Sequence, residues 1–91
     1  MRPASEIWPE VRTALLKLPR TTIVAEDHHY LHAECRSSVF GFVDDLEIQL
    51  QPRERVLAVR SVSRTGYYDF GVNRRRVETL RGLLRNRGII R

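Results

Sequence analysis

The chain has 91 residues, of which 42% are hydrophobic and 30% charged, and its net charge is +5. This length and balance predict one small globular domain over residues 1–91 and exclude a disordered chain. The single cysteine, Cys35, excludes an internal disulfide, and no apolar run approaches the roughly 20 residues that a membrane-spanning helix needs.

The N-terminal segment predicts an amphipathic helix over about residues 5–18, with Ser5 suited to its N-cap. Apolar residues recur there at helical spacing, at Trp8, Val11, Leu15 and Leu18. Pro19 ends the helix because its ring disfavours helical geometry at the residue before it.

Four segments then have the composition and alternation of β-strands, at about residues 21–27, 30–36, 42–51 and 55–62. The connections are short, so the strands are predicted to pair as an antiparallel meander. Apolar residues share one face only if Ala33 lies opposite Leu46 and Ile48 lies opposite Val59. Cys35 falls on that apolar face, where we expect it to be buried.

The same register predicts a polar row on the other face of the sheet. His32 should lie opposite Glu47, Glu47 opposite Arg60, and Glu34 opposite Asp45. This polar sheet-face network is the first candidate functional surface.

The last element is a helix over about residues 73–87, with apolar residues at helical spacing. Its N-cap is Asn73 or Asp69, and we favour Asn73 because Gly71 is unfavourable inside a helix by roughly 1 kcal/mol. The fold class is therefore α+β, a two-layer α-β-β-β-β-α domain with a four-stranded antiparallel meander and both helices on one sheet face.

The loop before this helix and the helix start form the second candidate surface. Three consecutive arginines near a helix N-terminus are electrostatically unfavourable, because that end of the helix dipole is positive. We therefore expect an anionic group nearby, either an internal carboxylate (Asp44, Asp45 or Asp69) or a bound anion. The residues of the hypothetical anion site are Arg64, Tyr67, Asn73, Arg74, Arg75 and Arg76.

No metal site, cofactor or catalytic residue is assigned. His29 and His32 point to opposite faces if both lie in a strand, so the histidine-rich turn does not predict converging ligands. Nucleotide-binding glycine motifs and metalloprotease or redox motifs are absent from the sequence.

Several segments, in order, resemble a bacterial and plastid family catalogued as domain of unknown function 1499. They include Leu18-Pro-Arg-Thr, Tyr30-Leu-His-Ala-Glu34, Phe42-Val-Asp-Asp-Leu-Glu47, Val59-Arg-Ser61 and Gly71-Val-Asn-Arg-Arg-Arg76. The resemblance implies no established activity. Members of the family commonly carry an additional N-terminal segment, often with an export or membrane signal. We expect a cytoplasmic protein if this chain is complete, and assign no location otherwise.

Fifteen arginines and one lysine carry the positive charge, and arginine suits carboxylate and phosphate partners, although a GC-rich genome produces the same bias. The first interpretation is a non-catalytic binding module for an anionic small molecule or an acidic protein surface. The alternative is a nucleic-acid-binding domain that uses the arginine-rich final helix. A second alternative is a small enzyme built on His32, Glu47 and Arg60. The oligomeric state stays open.

Overall fold

The computed structural model describes residues 3–37, 41–64 and 71–90. The elements, in chain order, are α1 (Ala4–Leu15), β1 (Thr21–Glu26), β2 (Tyr30–Arg36), β3 (Val43–Gln51), β4 (Val56–Ser63) and α2 (Val72–Asn86). The four strands form one antiparallel sheet in the order β1-β2-β3-β4. The predicted α+β meander is confirmed.

Strand register follows the hydrophobic alternation. Ala33 lies opposite Leu46, and Ile48 lies opposite Val59, as predicted. Pairing between β1 and β2 shifts by one residue between Ile23 and Ala25, which marks a bulge in the edge strand β1.

The core lies between one face of the sheet, here called the inner face, and the two helices. The inward side chains of the central strands are almost fully buried, and they are Leu31, Ala33, Cys35, Leu46, Ile48 and Leu50. From α1, Ile7, Val11, Ala14 and Leu15 pack on this face, and from α2, Leu80 and Leu84 do so. Both helices therefore cover the same face, and the opposite face is the outer face.

Helix α1 ends at Leu15, three residues before the predicted end. The chain continues in a tighter turn, in which the N–H of Leu18 bonds to the carbonyl of Leu15 at 3.1 Å. The tightening fits the bias that Pro19 places on Leu18. Leu18 stays in the core, with 4% of its surface exposed. At the other end, Pro3 rather than Ser5 occupies the N-cap position.

Helix α2 begins at Val72, and the predicted N-cap at Asn73 is wrong. Gly71 occupies the N-cap position at φ 81°, a left-handed conformation that costs glycine little. The carbonyl of Gly71 accepts the N–H of Arg75 at 3.0 Å, which closes the first turn. The other predicted cap, Asp69, lies outside the described residues. Within the described ranges, no helix has both the length and the apolar character that crossing a membrane requires.

Candidate functional site: the outer polar cluster

Seven polar side chains lie together on the outer face, six from β2, β3 and β4 and one from Arg64 directly after β4, and we call them the outer polar cluster. They are Tyr30, His32, Glu34, Asp45, Glu47, Arg60 and Arg64. The predicted cross-strand pairs are present, because His32 lies opposite Glu47, Glu47 opposite Arg60, and Glu34 opposite Asp45. No described element packs over this face, since both helices lie on the other side.

Arg64 joins two of the carboxylates at one end of the cluster. Its Nε and Nη2 donate to the two oxygens of Asp45 at 3.1 and 2.6 Å, and Nη2 also donates to Glu34 at 2.7 Å. A two-pronged arginine–carboxylate contact is stronger and more directional than a single ionic contact. Arg64 is therefore held in one orientation although almost half of its side chain is exposed.

The protonation of this end follows from the same contacts. Hydrogen bonds from Arg64, with a smaller contribution from His32, lower the pKa of Asp45 to about 2, although partial burial acts in the opposite direction. The carboxylates of Asp45 and Glu34 in turn raise the pKa of Arg64. At neutral pH, Asp45 is therefore fully ionised.

His32 contacts Asp45 and not the residue directly opposite. Its Nε2 lies 2.8 Å from Oδ1 of Asp45, a diagonal contact across the β2–β3 ladder. The hypothetical enzyme grouped His32 with Glu47 and Arg60. In the structure Glu47 and Arg60 contact each other at 3.6 Å, whereas His32 contacts Asp45 instead of either of them.

Glu47 organises the other end of the cluster. The hydroxyl of Tyr30 donates to its Oε2 at 2.8 Å, and Arg60 lies 3.6 Å from its Oε1. The hydrogen bond to Glu47 raises the pKa of Tyr30, since the phenol donates to an anion. Arg60 is held loosely, with 70% of its side chain exposed. Tyr30, Gln49 and Arg60 border a shallow depression here.

Tyr30 was missing from the predicted site. Its outward position was evident from the alternation of β2, two residues before His32. The partner could not be predicted, because diagonal contacts depend on side-chain reach and sheet twist.

A second polar group, the inner polar cluster, lies between the sheet and the start of α2. It consists of Asp44, Ser61, Asn73 and Arg76. Arg76 Nη1 lies 2.9 Å from Asp44 and donates to Asn73 Oδ1 at 2.7 Å. Ser61 also donates to Asn73 Oδ1, at 2.6 Å. The side chains of Arg76 and Asp44 are only 12% and 9% exposed, so this ion pair is nearly enclosed.

The six residues of the hypothetical anion site are not all brought together. Arg64 lies on the outer face with Asp45, whereas Asn73 and Arg76 lie on the inner face near Asp44. The adjacent aspartates thus point to opposite faces, as strand geometry requires.

The remaining members of the hypothetical anion site are placed as follows. Arg74 and Arg75 are exposed in the first turn of α2, and Tyr67 lies outside the described residues. One internal carboxylate, Asp44, does meet the arginine run, at Arg76. Glu78 contacts Arg81 at 3.1 Å.

The other reactive side chains have local roles. The N–H of His29 bonds to the Asp27 carboxylate at 2.8 Å in the β1–β2 turn. Cys35 is buried as predicted, with the Thr21 hydroxyl 3.3 Å from its sulfur. Across the part of the chain that the structure describes, no three His, Cys, Asp or Glu side chains are grouped so that they could hold a metal ion.

Comparison with known proteins identifies a family for this chain. The model of the family described as "Protein of unknown function (DUF1499)" matches residues 1–84, which include the whole sheet and most of α2. No curated protein and no solved structure matches the chain.

Proposed function

This chain belongs to the DUF1499 family of proteins of unknown function, and we propose that it is a non-catalytic binding module. Its binding surface in this proposal is the outer polar cluster, and its ligand carries an anionic group, on a small molecule or on an acidic protein surface. One observation carries the proposal: ordered charged side chains occupy a sheet face that no described element covers.

The two arginines of the cluster differ in how they can meet a ligand. Arg64 already satisfies two carboxylates at 2.6 and 2.7 Å, so an incoming anion would have to displace them. Arg60 is 70% exposed, and its contact with Glu47 is long, at 3.6 Å. Glu47 also keeps the Tyr30 hydroxyl as a partner. Arg60 is therefore the group that would contact the ligand, while Arg64 orders the surface beside it.

The exposed arginines at the start of α2 support the alternative function, nucleic-acid binding. Helix α2 contains five arginines and one acidic residue, which is a basic surface of the kind that phosphate backbones attract. Among the described residues of the outer face, Tyr30 is committed to Glu47, and no aromatic stacking positions of the kind used by RNA-binding sheets are evident.

The test is a titration of the ¹⁵N-labelled protein with inorganic phosphate at constant ionic strength, followed by NMR. We expect saturable shifts at the amides around Tyr30, Gln49 and Arg60, which disappear in Arg60→Ala. Arg36→Ala is the matched control, because Arg36 is also exposed and lies 4.0 Å from Glu34. If both variants lost the phosphate-induced shifts equally, or if the shifts were spread over all arginines, phosphate would be acting by general charge screening and there would be no specific site.

A parallel titration with single-stranded DNA tests the alternative function, nucleic-acid binding. Phosphate-backbone binding weakens steeply with salt, and its shifts should follow the arginines of α2. Tight, salt-sensitive DNA binding that Arg60→Ala leaves unchanged would favour the nucleic-acid function.

A further inference from the structure

Beside β4 and α2, the inner face is covered less completely than at the central strands. Inward residues of β2 and β3 are buried, whereas Leu57 and Val59 of β4 are only partly buried. Between them and α2 is a groove of about 160 Å³. Its apolar lining includes Leu57, Val59, Val77, Leu80 and Leu84, with Arg81 at the rim.

The backbone beside this groove has hydrogen-bonding groups that face outward. In an antiparallel ladder, residues that bond to the partner strand alternate with residues whose N–H and C=O point away. The Arg64 N–H bonds to the Val43 carbonyl at 3.1 Å, which sets the alternation for β4. The backbone groups of Leu57 and Val59 therefore point away from β3, toward the sheet edge. Among the described residues, no strand lies beyond β4.

Leu57 and Val59 thus present apolar side chains to the groove and main-chain donors and acceptors to the adjacent edge. This combination suits an added β-strand, because main-chain hydrogen bonds hold the strand and its alternate side chains fill pockets. We propose that the edge of β4 and the groove beside α2 bind an extended, acidic segment of a partner protein as a fifth strand.

The charge of α2 identifies the chemistry of this partner. Arg74, Arg81 and Arg85 lie on one stripe of the helix and are exposed. Eleven residues of helix extend about 16 Å, which matches about five residues of extended strand. A segment with apolar residues at alternate positions and carboxylates around them would meet both the groove and the arginine stripe.

A second copy of this chain fits the edge less well. Each chain carries a net charge of +5, and pairing two β4 edges would bring two arginine-rich helices together. Like charges across an interface oppose association. The partner is therefore a different, acidic chain, and this surface is separate from the outer polar cluster.

The test measures fluorescence anisotropy with a labelled, end-capped peptide of sequence Asp-Asp-Val-Thr-Val-Asp-Asp. We expect saturable binding, with NMR shifts at Leu57, Val59 and Val77. Methylation of the backbone nitrogens of the two valines should weaken binding roughly tenfold or more, because it removes strand hydrogen bonds. A peptide of the same composition with adjacent valines should also bind more weakly, since only one valine can then face the groove.

Two charge-reversal variants locate the site. Arg81→Glu should weaken binding roughly tenfold, whereas Lys17→Glu, an equal change in net charge in the turn after α1, should leave it within twofold. Both positions are exposed, so both variants should fold, which circular dichroism checks.

Four outcomes would overturn the proposal. They are no binding up to millimolar peptide, insensitivity to N-methylation, equal effects of the two variants, and a stable dimer in sedimentation that excludes the peptide. A DNA oligonucleotide has no valines to place in the groove. If it bound as tightly as the peptide, α2 would be assigned to nucleic-acid binding instead. The phosphate titration of Arg60→Ala tests the outer polar cluster and does not involve the edge of β4. The anion-binding proposal and the strand-binding proposal can therefore fail independently of each other.

Discussion

The nearly enclosed ion pair between Arg76 and Asp44 makes a strong prediction about stability. Replacing Arg76 by Met keeps most of the side-chain volume but leaves the Asp44 carboxylate, 9% exposed, without its cation at 2.9 Å. Removing one partner of a buried pair costs about 3–5 kcal/mol, because the other charge stays desolvated. The hydrogen bonds that Arg76 donates to Asn73 and Ser61 are lost as well.

This loss is large for a domain of this size. A small domain unfolds with a free energy of about 5–15 kcal/mol, so Arg76→Met should lose at least about a fifth of it. The thermal midpoint should fall by about 12 °C or more. Urea denaturation followed by circular dichroism measures the free energy of unfolding, and thermal scans measure the midpoint.

Two further variants isolate the cause. Arg74→Met removes an exposed arginine from the same helical turn and should change stability by less than about 0.5 kcal/mol. Adding Asp44→Asn to Arg76→Met removes the orphaned charge and should recover at least about 1 kcal/mol. If Arg76→Met is within about 1 kcal/mol of the parent, the pair is solvated and the reasoning from its burial is wrong.

Four other predictions concern single positions. The folded pKa of Asp45 is lowered from 3.8 to about 2, so its stabilisation is present above the higher value and is lost as the pH falls through the lower one. In the parent, the free energy of unfolding should fall with acid over that pH window by on the order of 1–2 kcal/mol more than in Asp45→Asn. Equal acid sensitivity in parent and variant would contradict the Arg64 contact. Cys35 should react with a thiol reagent only after urea unfolding, and rapid native labelling would place it at the surface. Arg60→Ala should cost less than about 1 kcal/mol in urea titrations, so a larger loss would mean that Arg60 is structural. Gly71→Ala should destabilise the domain by about 1 kcal/mol or more, because φ at Gly71 is 81°. Gly82→Ala, inside α2, should instead stabilise it. Stability changes of the same sign in the two variants would refute the assigned helix start.

The period-two alternation of the strands was enough to predict the sheet and its faces. A shift of one residue would have put Leu46 and Ile48 in solvent, so the register with Ala33 and Val59 had one favourable solution. The opposite directions of Asp44 and Asp45 follow from the same geometry. For this reason most of the outer polar cluster could be named before the structure.

Contacts between distant segments could not be obtained from periodicity. Three consecutive arginines look equivalent in sequence, yet only the rotation of α2 against the sheet decides that Arg76 reaches Asp44. Asn73 looked like a cap because its side chain suits that position, but the left-handed Gly71 starts the helix and leaves Asn73 to bond with Ser61. These outcomes depend on helix orientation and side-chain reach.

The incomplete cover of β4 also arises only in the tertiary structure. In sequence, Leu57 and Val59 are as apolar as the inward residues of β3. The predicted meander places β4 at an edge of the sheet, but it does not determine how far the helices cover that strand. Two helices of 12 and 15 residues cover the central strands and leave the inward side of β4 partly open. Strand patterning determined which residues face inward, and helix length and placement determined which of them remain accessible to a partner.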